Sequence, residues 1–256
     1  MISTRLKLLR TTALSAGLLG MTLRTLLYAT AIDHKGLLIA GHWATWSILI
    51  LTGLVLILML AISWKAQGPS AYEDCFPRSF FQGTTSLLVA GIIAMESIPL
   101  FSTTRDILGV LTSVFGVASG AAMLVVAICR FFGKRPFFLC HSILCVFFAL
   151  HMVSQYRHWS SDPQLMNYGF YLVAFICLML TSYFLAGFDA NMVNRRALWF
   201  FSMAAAYFCC LAMPESGEAA LLIACALWAF FSVPKCQARV SRHSAPAAEE
   251  TEHADS

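Results

Sequence analysis

FFQGTTSLLVAGIIAMESIPLF, residues Phe80 to Phe101, is an apolar segment of 22 residues that contains a single acid, Glu96. A helix of that length crosses the hydrocarbon core of a bilayer, because the core is about 30 Å thick and each residue adds about 1.5 Å. An ionisable side chain inside such a helix is costly and usually faces other helices rather than lipid. We therefore expect a transmembrane helix that packs inside a bundle.

Small residues line one face of this segment and one face of the next apolar segment, Ile107 to Cys129. The first face contains Gly83, Ser86, Ala90, Ala94 and Ser97. The second contains Gly109, Ser113, Gly116 and Gly120. Small residues let helix backbones approach closely in lipid. We predict an antiparallel hairpin, with packing residues Gly83, Ala90, Gly109, Gly116 and Gly120; a chance spacing of small residues is the alternative.

The composition indicates a membrane protein. Of the 256 residues, 59% are apolar and only 12% are charged, whereas soluble domains have about 25% charged residues. Eight apolar segments alternate with short connections: Leu8 to Tyr28, Ala44 to Trp64, Phe80 to Phe101, Ile107 to Cys129, Phe137 to Tyr156, Tyr168 to Phe188, Ala197 to Met213 and Ala219 to Val233. The sequence predicts an all-α polytopic membrane bundle of about eight transmembrane helices. The last two segments are short, and a re-entrant hairpin is the alternative there.

Basic residues alternate between the two sides of this predicted bundle. One side has thirteen: Arg5, Lys7, Arg10, Lys65, Arg78, Arg130, Lys134, Arg135, Arg195, Arg196, Lys235, Arg239 and Arg242. The other side has three: Lys35, Arg105 and Arg157. Because Lys and Arg accumulate in cytoplasmic loops, we expect both termini to be cytoplasmic. Residues 234–256 are polar and poor in aromatic residues, which predicts a disordered cytoplasmic tail.

The sequence lacks the motifs of common chemistries. It has no phosphate-binding loop, HExxH motif, nucleophile elbow, dinucleotide fingerprint or nucleic-acid module. Cys140, His141 and Cys145 could share a helix face and bind a metal ion there. Packing as small apolar side chains is the favoured role for these cysteines. We predict no catalytic residue, no metal site, no cofactor and no nucleic-acid partner.

Arg24, Glu96 and His151 are ionisable residues inside the outer halves of predicted helices. In the eight-helix topology they share a depth about 6 to 9 Å below the outer interface. Such residues usually face the bundle interior and pair. We predict that they form one polar cluster in the outer half of the bundle. In the alternative, Arg24 extends to the interface, Glu96 is a protonated packing residue and His151 bonds a backbone carbonyl.

Several short stretches carry a resemblance to other membrane proteins. They are Tyr28-Ala29-Thr30 to Leu37-Leu38, Gly41-His42, Arg157-His158-Trp159-Ser160, Phe188-Asp189 and Arg195-Arg196. In these residues the chain resembles uncharacterised multi-pass membrane proteins of gut clostridia, over most of its length. The resemblance implies the multi-pass topology and a bacterial cytoplasmic membrane. Those proteins have no assigned activity, so it assigns no functional residue.

Three classes of function remain open at this point. A small-solute transporter or permease is favoured by the eight short-looped helices and the ionisable residues inside the membrane. A non-enzymatic accessory or sensory subunit, which binds a membrane-protein partner, is the alternative, because no internal repeat is evident and the cytoplasmic loops are basic. An enzyme is least supported because no nucleophile or metal constellation is present. All three predict contact with the lipid bilayer.

Overall fold

The computed structural model describes residues 2–31, 42–65, 72–103, 106–159, 168–192, 194–214 and 217–234. Within these ranges all secondary structure is helical. The helices are α1 (Ile2–Thr30), α2 (Trp43–Trp64), α3 (Tyr72–Cys75), α4 (Phe80–Thr103), α5 (Ile107–Phe132), α6 (Phe138–Trp159), α7 (Gly169–Asp189), α8 (Arg195–Ala212) and α9 (Ala219–Ser232). The predicted all-α membrane bundle is confirmed. The predicted tail lies outside the described residues, apart from Pro234.

Five of the described helices are long and apolar enough to cross a membrane: α2, α4, α5, α6 and α7. α9 is apolar but has only 14 residues, a length of about 21 Å. α1 and α8 do not belong to this group. α8 packs against α1, α2, α7 and α9, so most of its side chains meet protein rather than lipid. That all eight longer helices cross the membrane stays a prediction.

The short helix α3 was not expected from the sequence, which reads as a turn between α2 and α4. Tyr72, Cys75 and Phe76 are buried. Their spacing of three and four residues places them on one face of a helix. The Phe76 ring packs edge-on against Phe188 at the end of α7, with 5.5 Å between ring centroids. α3 therefore covers one end of the bundle.

The first and last described helices meet at this same end. Arg10 of α1 donates from Nη2 to the carbonyl oxygen of Val233, directly after α9, at 3.4 Å. The Arg10 guanidinium also lies 5.5 Å from the centre of the Phe230 ring. If the chain enters and leaves the bundle at the same end, it crosses the bundle an even number of times between the start of α1 and the end of α9. We call this end, where α1 begins and α9 ends, the basic end, and the other the opposite end.

α4 and α5 are neighbours that run antiparallel. A Cβ added to Gly116 would lie 2.0 Å from Ser97 Oγ, and one added to Gly120 would lie 3.2 Å from the carbonyl oxygen of Ala90. At the basic end, a Cβ on Gly83 would lie 2.6 Å from the Phe131 ring. Gly109 is buried in α5. At Gly120 the two backbones approach closely because no side chain separates them, whereas at Gly83 the Phe131 ring lies between the helices.

Candidate functional site

A partly buried polar group lies at the opposite end of the bundle around Glu218, directly before α9. Glu218 Oε2 is 3.0 Å from His151 Nε2 and accepts a short hydrogen bond from the Tyr171 hydroxyl. Glu218 Oε1 accepts from Gln155 Nε2 at 2.7 Å. The residues come from α6, α7 and the start of α9. We call Glu218, His151, Tyr171 and Gln155 the carboxylate cluster.

The hydrogen-bond pattern fixes the proton on His151. Because the Tyr171 hydroxyl donates to Glu218, its oxygen can only accept from His151, whose Nε2 lies 2.9 Å away. An ionised Glu218 likewise only accepts. His151 Nε2 therefore carries a hydrogen, which it donates to both the Tyr171 hydroxyl oxygen and Glu218 Oε2. Both carboxylate oxygens of Glu218 are engaged by donors.

The backbone around Glu218 places its side chain across the bundle. Glu218 holds the N-cap position of α9, yet its side chain caps no backbone N–H there. The carboxylate extends instead to α6 and α7, where its three donors lie. The side chain of Glu218 is 28% exposed and that of His151 is 11% exposed. The cluster is thus partly open at this end of the bundle.

Glu96 of α4 lies beside the carboxylate cluster. The charges of Glu218 and His151 are both close enough to act on its carboxyl group. α4 reaches this position because it packs against α9, with Gln82 Nε2 donating to the carbonyl oxygen of Phe231 at 2.8 Å near the basic end. Of the three residues predicted to cluster, Glu96 and His151 therefore share one neighbourhood. α9 supplies a second carboxylate there.

Arg24, the third predicted member, is buried in α1 and only 2% exposed. Its guanidinium lies 4.6 Å from the centre of the Phe170 ring, and its Nη2 is 3.4 Å from the Tyr28 hydroxyl. Phe170 directly precedes Tyr171 of the carboxylate cluster. Arg24 is thus linked to the cluster through α7. Its direct pairing with Glu96 stays a prediction.

A second polar pair lies toward the basic end, between α6 and α7. His141 Nδ1 is 2.5 Å from Asp189 Oδ2, and both side chains are shielded from solvent. An ionised Asp189 accepts this hydrogen bond, so His141 Nδ1 carries the hydrogen. Among the described residues, His141 Nε2 and Asp189 Oδ1 find no hydrogen-bond partner. The pair is therefore buried and only half satisfied.

Two buried arginines hold α3 against this end. Arg130 of α5 donates from Nη1 to the Tyr72 hydroxyl at 2.7 Å and lies 4.1 Å from the centre of the Phe76 ring. Arg195 of α8 donates from Nη2 to Cys75 Sγ at 3.2 Å. We call Arg130 and Arg195 the arginine pair. Burial raises the pKa of Tyr72 to about 12, so its hydroxyl stays protonated beside Arg130.

An aromatic layer separates the two polar regions. The layer consists of Phe148, Phe175 and Trp228, which are all fully buried. Toward the opposite end, the centre of the Phe175 ring lies 4.8 Å from that of the His151 ring. Toward the basic end, the Trp228 ring stacks on the His141 ring with 6.5 Å between centroids. Phe148 bridges the two at 5.8 Å and 6.4 Å. α6 and α7 thus carry polar groups at both ends, and together with Trp228 of α9 they place an apolar barrier between those groups.

Sequence reasoning missed the principal members of both polar regions. Glu218 and Asp189 lie at the ends of apolar segments, where acids are usually solvated loop residues. Their partners are distant in the chain, 67 residues for Glu218 and His151 and 48 residues for Asp189 and His141. The only local signal was two histidines on one apolar helix. That signal does not identify the acids that bind them.

Comparison with known proteins adds no assignment. No family model, no curated protein and no solved structure matches this chain. Within the described ranges, no group of three or more His, Cys, Asp or Glu side chains could hold a metal ion. Functional inference therefore depends on the geometry of the polar regions themselves.

Proposed function

We propose that this protein is a small-solute transporter or permease of a bacterial cytoplasmic membrane, with its solute site at the carboxylate cluster. One observation carries the proposal. A partly open polar cluster and a buried polar pair lie at opposite ends of α6 and α7, with buried aromatic side chains of α6, α7 and α9 between them. A transporter that alternates access needs a binding site on one side and a barrier toward the other.

The chemistry of the cluster favours a solute with hydrogen-bond donors. Glu96 and Glu218 bring two carboxyl groups to one neighbourhood, and an ionised carboxylate only accepts hydrogen bonds. The Glu218 oxygens already accept hydrogen bonds from His151, Tyr171 and Gln155. Glu96 is therefore the carboxylate that would bind the amino group of a solute. Buried ionisable residues in membrane helices commonly mark solute or ion pathways. The expected solute class is therefore small amines and amino acids.

The charge asymmetry of the loops supports an orientation for this site. The basic end carries the start of α1 and the end of α9, and basic loops favour the cytoplasm. The carboxylate cluster then faces the outside of the cell. Solute would enter the carboxylate cluster from the outside of the cell, and the aromatic layer would separate it from the basic end. The resemblance to multi-pass membrane proteins of gut clostridia also favours a bacterial cytoplasmic membrane.

The experiment is a two-step search with purified protein. Amino acids, choline and polyamines are first screened for thermal stabilisation in mild detergent, and each hit is then tested as a radiolabelled solute for uptake into proteoliposomes. Glu96→Gln should reduce stabilisation and uptake by tenfold or more, because it removes the proposed contact charge. Asp106→Asn is the matched control, since it neutralises an exposed carboxylate at the same end.

Two results would contradict the proposal. In the first, no solute of the panel stabilises the protein or enters the vesicles. In the second, Asp106→Asn impairs uptake as strongly as Glu96→Gln. A membrane protein recovered in equal amount with this chain, together with no solute response, would instead favour the accessory or sensory subunit.

A further inference from the structure

An exposed group of basic side chains lies at the turn between α5 and α6. Lys134 and Arg135 follow Gly133 in this turn, and a Cβ added to Gly133 would lie 3.4 Å from the Cβ atom of Arg78, just before α4. The side chains of Arg78, Lys134 and Arg135 are all exposed. We call these three residues the basic patch. It lies on the outer surface of the basic end.

The described chain ends close to this patch. Phe231 in the last turn of α9 stacks on Phe81 at the start of α4, with 5.5 Å between ring centroids. The neighbouring Phe80 packs against Phe131 in the last turn of α5 at 5.7 Å. These contacts connect the end of α9 with the two helix ends that flank the basic patch. Everything after Pro234 therefore begins within reach of the patch.

The charges at the basic end favour an anionic cover for the patch. This end carries ten basic residues before Pro234, namely Arg5, Lys7, Arg10, Lys65, Arg78, Arg130, Lys134, Arg135, Arg195 and Arg196. It carries three acids, Glu73, Asp74 and Asp189, so it is strongly cationic even when all three acids are counted as ionised. Opposite charges on the same molecule attract over about 8–10 Å at ordinary salt.

The sequence beyond the described chain supplies the opposite charge. Residues 243–256 contain no Lys or Arg, and they contain four acids: Glu249, Glu250, Glu252 and Asp255. We call residues 249–255 the acidic segment. It is the densest group of acids in the sequence. Its charge is therefore complementary to that of the basic patch.

The length of the connection suits a contact within one chain. Fifteen positions separate Pro234 from Glu249. A flexible chain of that length spans about 20 Å on average and about 50 Å at most. α9 packs against α4, and α4 packs against α5, so the patch lies about two helix spacings of 8–10 Å from the end of α9. A connection that matches the span gives an effective concentration in the millimolar range, at which weak ion pairs suffice.

We propose that the acidic segment binds the basic patch of its own chain and covers the turn between α5 and α6. Its carboxylates would accept charge-assisted hydrogen bonds from Lys134 and from the guanidinium groups of Arg78 and Arg135. Each exposed ion pair is weak, so the contact depends on several pairs together and is sensitive to salt. It involves no solute and is independent of the proposed transport.

The first experiment compares the reactivity of two lysines in the full-length protein, held in nanodiscs of phosphatidylcholine. Lys134 belongs to the basic patch. Lys65 is the matched control, because it is exposed at the same end but follows α2, which packs mainly on α1 and α8. In the variant Glu249→Gln/Glu250→Gln/Glu252→Gln/Asp255→Asn, an amine-acylating reagent should modify Lys134 about fivefold faster, as expected if the contact is formed about four-fifths of the time. The rate at Lys65 should not change.

The second experiment identifies what covers the patch. A carbodiimide joins a carboxylate to an amine that touches it, so it should connect Lys134 to the acidic segment more often than it connects Lys65. A mixture of protein labelled with ¹⁵N and unlabelled protein distinguishes a link within one chain from a link between two copies. Links within one chain, which disappear at 1 M salt where the screening length is about 3 Å, support the proposal.

Three results would overturn the proposal. Equal reactivity of Lys134 in the wild type and in the neutralised variant would show that the acidic segment does not cover the patch. Links found only between labelled and unlabelled copies would assign the segment to a neighbouring molecule. If phosphatidylglycerol in the nanodiscs protects Lys134, and phosphatidylcholine alone gives the wild type no protection over the variant, lipid headgroups cover the patch instead.

Discussion

The carboxylate cluster and the basic end both hold ionisable side chains inside the bundle, but they differ in how exposed these side chains are and in how many of their polar atoms have partners. At the opposite end, one carboxylate engages three donors and stays partly open to solvent, with 28% of the Glu218 side chain exposed. At the basic end, the His141–Asp189 pair and two arginines are almost fully enclosed, and several of their polar atoms have no partner within the described ranges. The first region is complete as it stands. The second holds polar groups away from solvent, so removing the partner of one of them should be severe.

The sharpest way to break this contrast is Asp189→Ala. The change leaves His141 buried without its acceptor, and an unsatisfied buried partner costs about 1–3 kcal/mol, or more when the group left behind is charged. We expect that loss in the free energy of unfolding, measured in mixed detergent micelles. The double variant His141→Leu/Asp189→Leu should cost less than the single one, because it removes both polar groups. If the Asp189→Ala protein is as stable as the wild type, the His141–Asp189 hydrogen bond does not contribute to the free energy of unfolding.

The parallel change at the opposite end is Glu218→Ala. It removes the acceptor of His151, Tyr171 and Gln155, and unsatisfied buried donors cost about 1–3 kcal/mol. The partial exposure of Glu218 lets water replace some of these bonds, so the loss should fall below that of Asp189→Ala. Gln155→Ala is the control, since it removes a single bond. The same unfolding measurement ranks them, and a larger loss for Glu218→Ala would reverse the comparison.

The position of Glu96 beside the carboxylate cluster depends on how α4 sits against α5. In Gly116→Leu the new side chain would collide with Ser97, and forced overpacking typically costs about 1–3 kcal/mol. Gly91→Leu, on the same helix pair, is the control because nothing lies within 4 Å of its Cβ position. Thermal unfolding of the two variants should separate them. Equal midpoints would argue that the two helices are not closely packed in the membrane.

The smallest effect is expected for Arg157→Ala. Arg157 Nη1 is 2.7 Å from Asp106 Oδ2 at the opposite end, but the two side chains are 66% and 50% exposed. Exposed pairs contribute about 0–1 kcal/mol, so stability should change by less than that amount. The result sharpens the comparison because it separates ion pairing from burial at one end of the molecule. A loss as large as that of Glu218→Ala would mean that exposure does not decide the outcome.

How far the sequence predicts this molecule depends on whether a signal is local. The apolar segments are local, and the helices from α4 to α7 lie where length and composition place them. Glu96 and His151 were identifiable because an ionisable residue inside an apolar segment is unusual. Glu218 and Asp189 were not, because acids beside a helix end look the same whether they are solvated or turned inward. α3 has four residues, too few for any periodic pattern.

The late position of α9 in the chain has a consequence for biosynthesis. α9 contributes Glu218 to one polar region and Trp228 to the stacking on His141 in the other, and Val233 just beyond it bonds Arg10 of α1. While the ribosome is still translating the segment before residue 218, the histidines of α6 and the acid of α4 are already in the membrane without these contacts. Until Glu218 and α9 are made, the polar side chains near the end of α6 therefore lack the partner that they have in the folded protein.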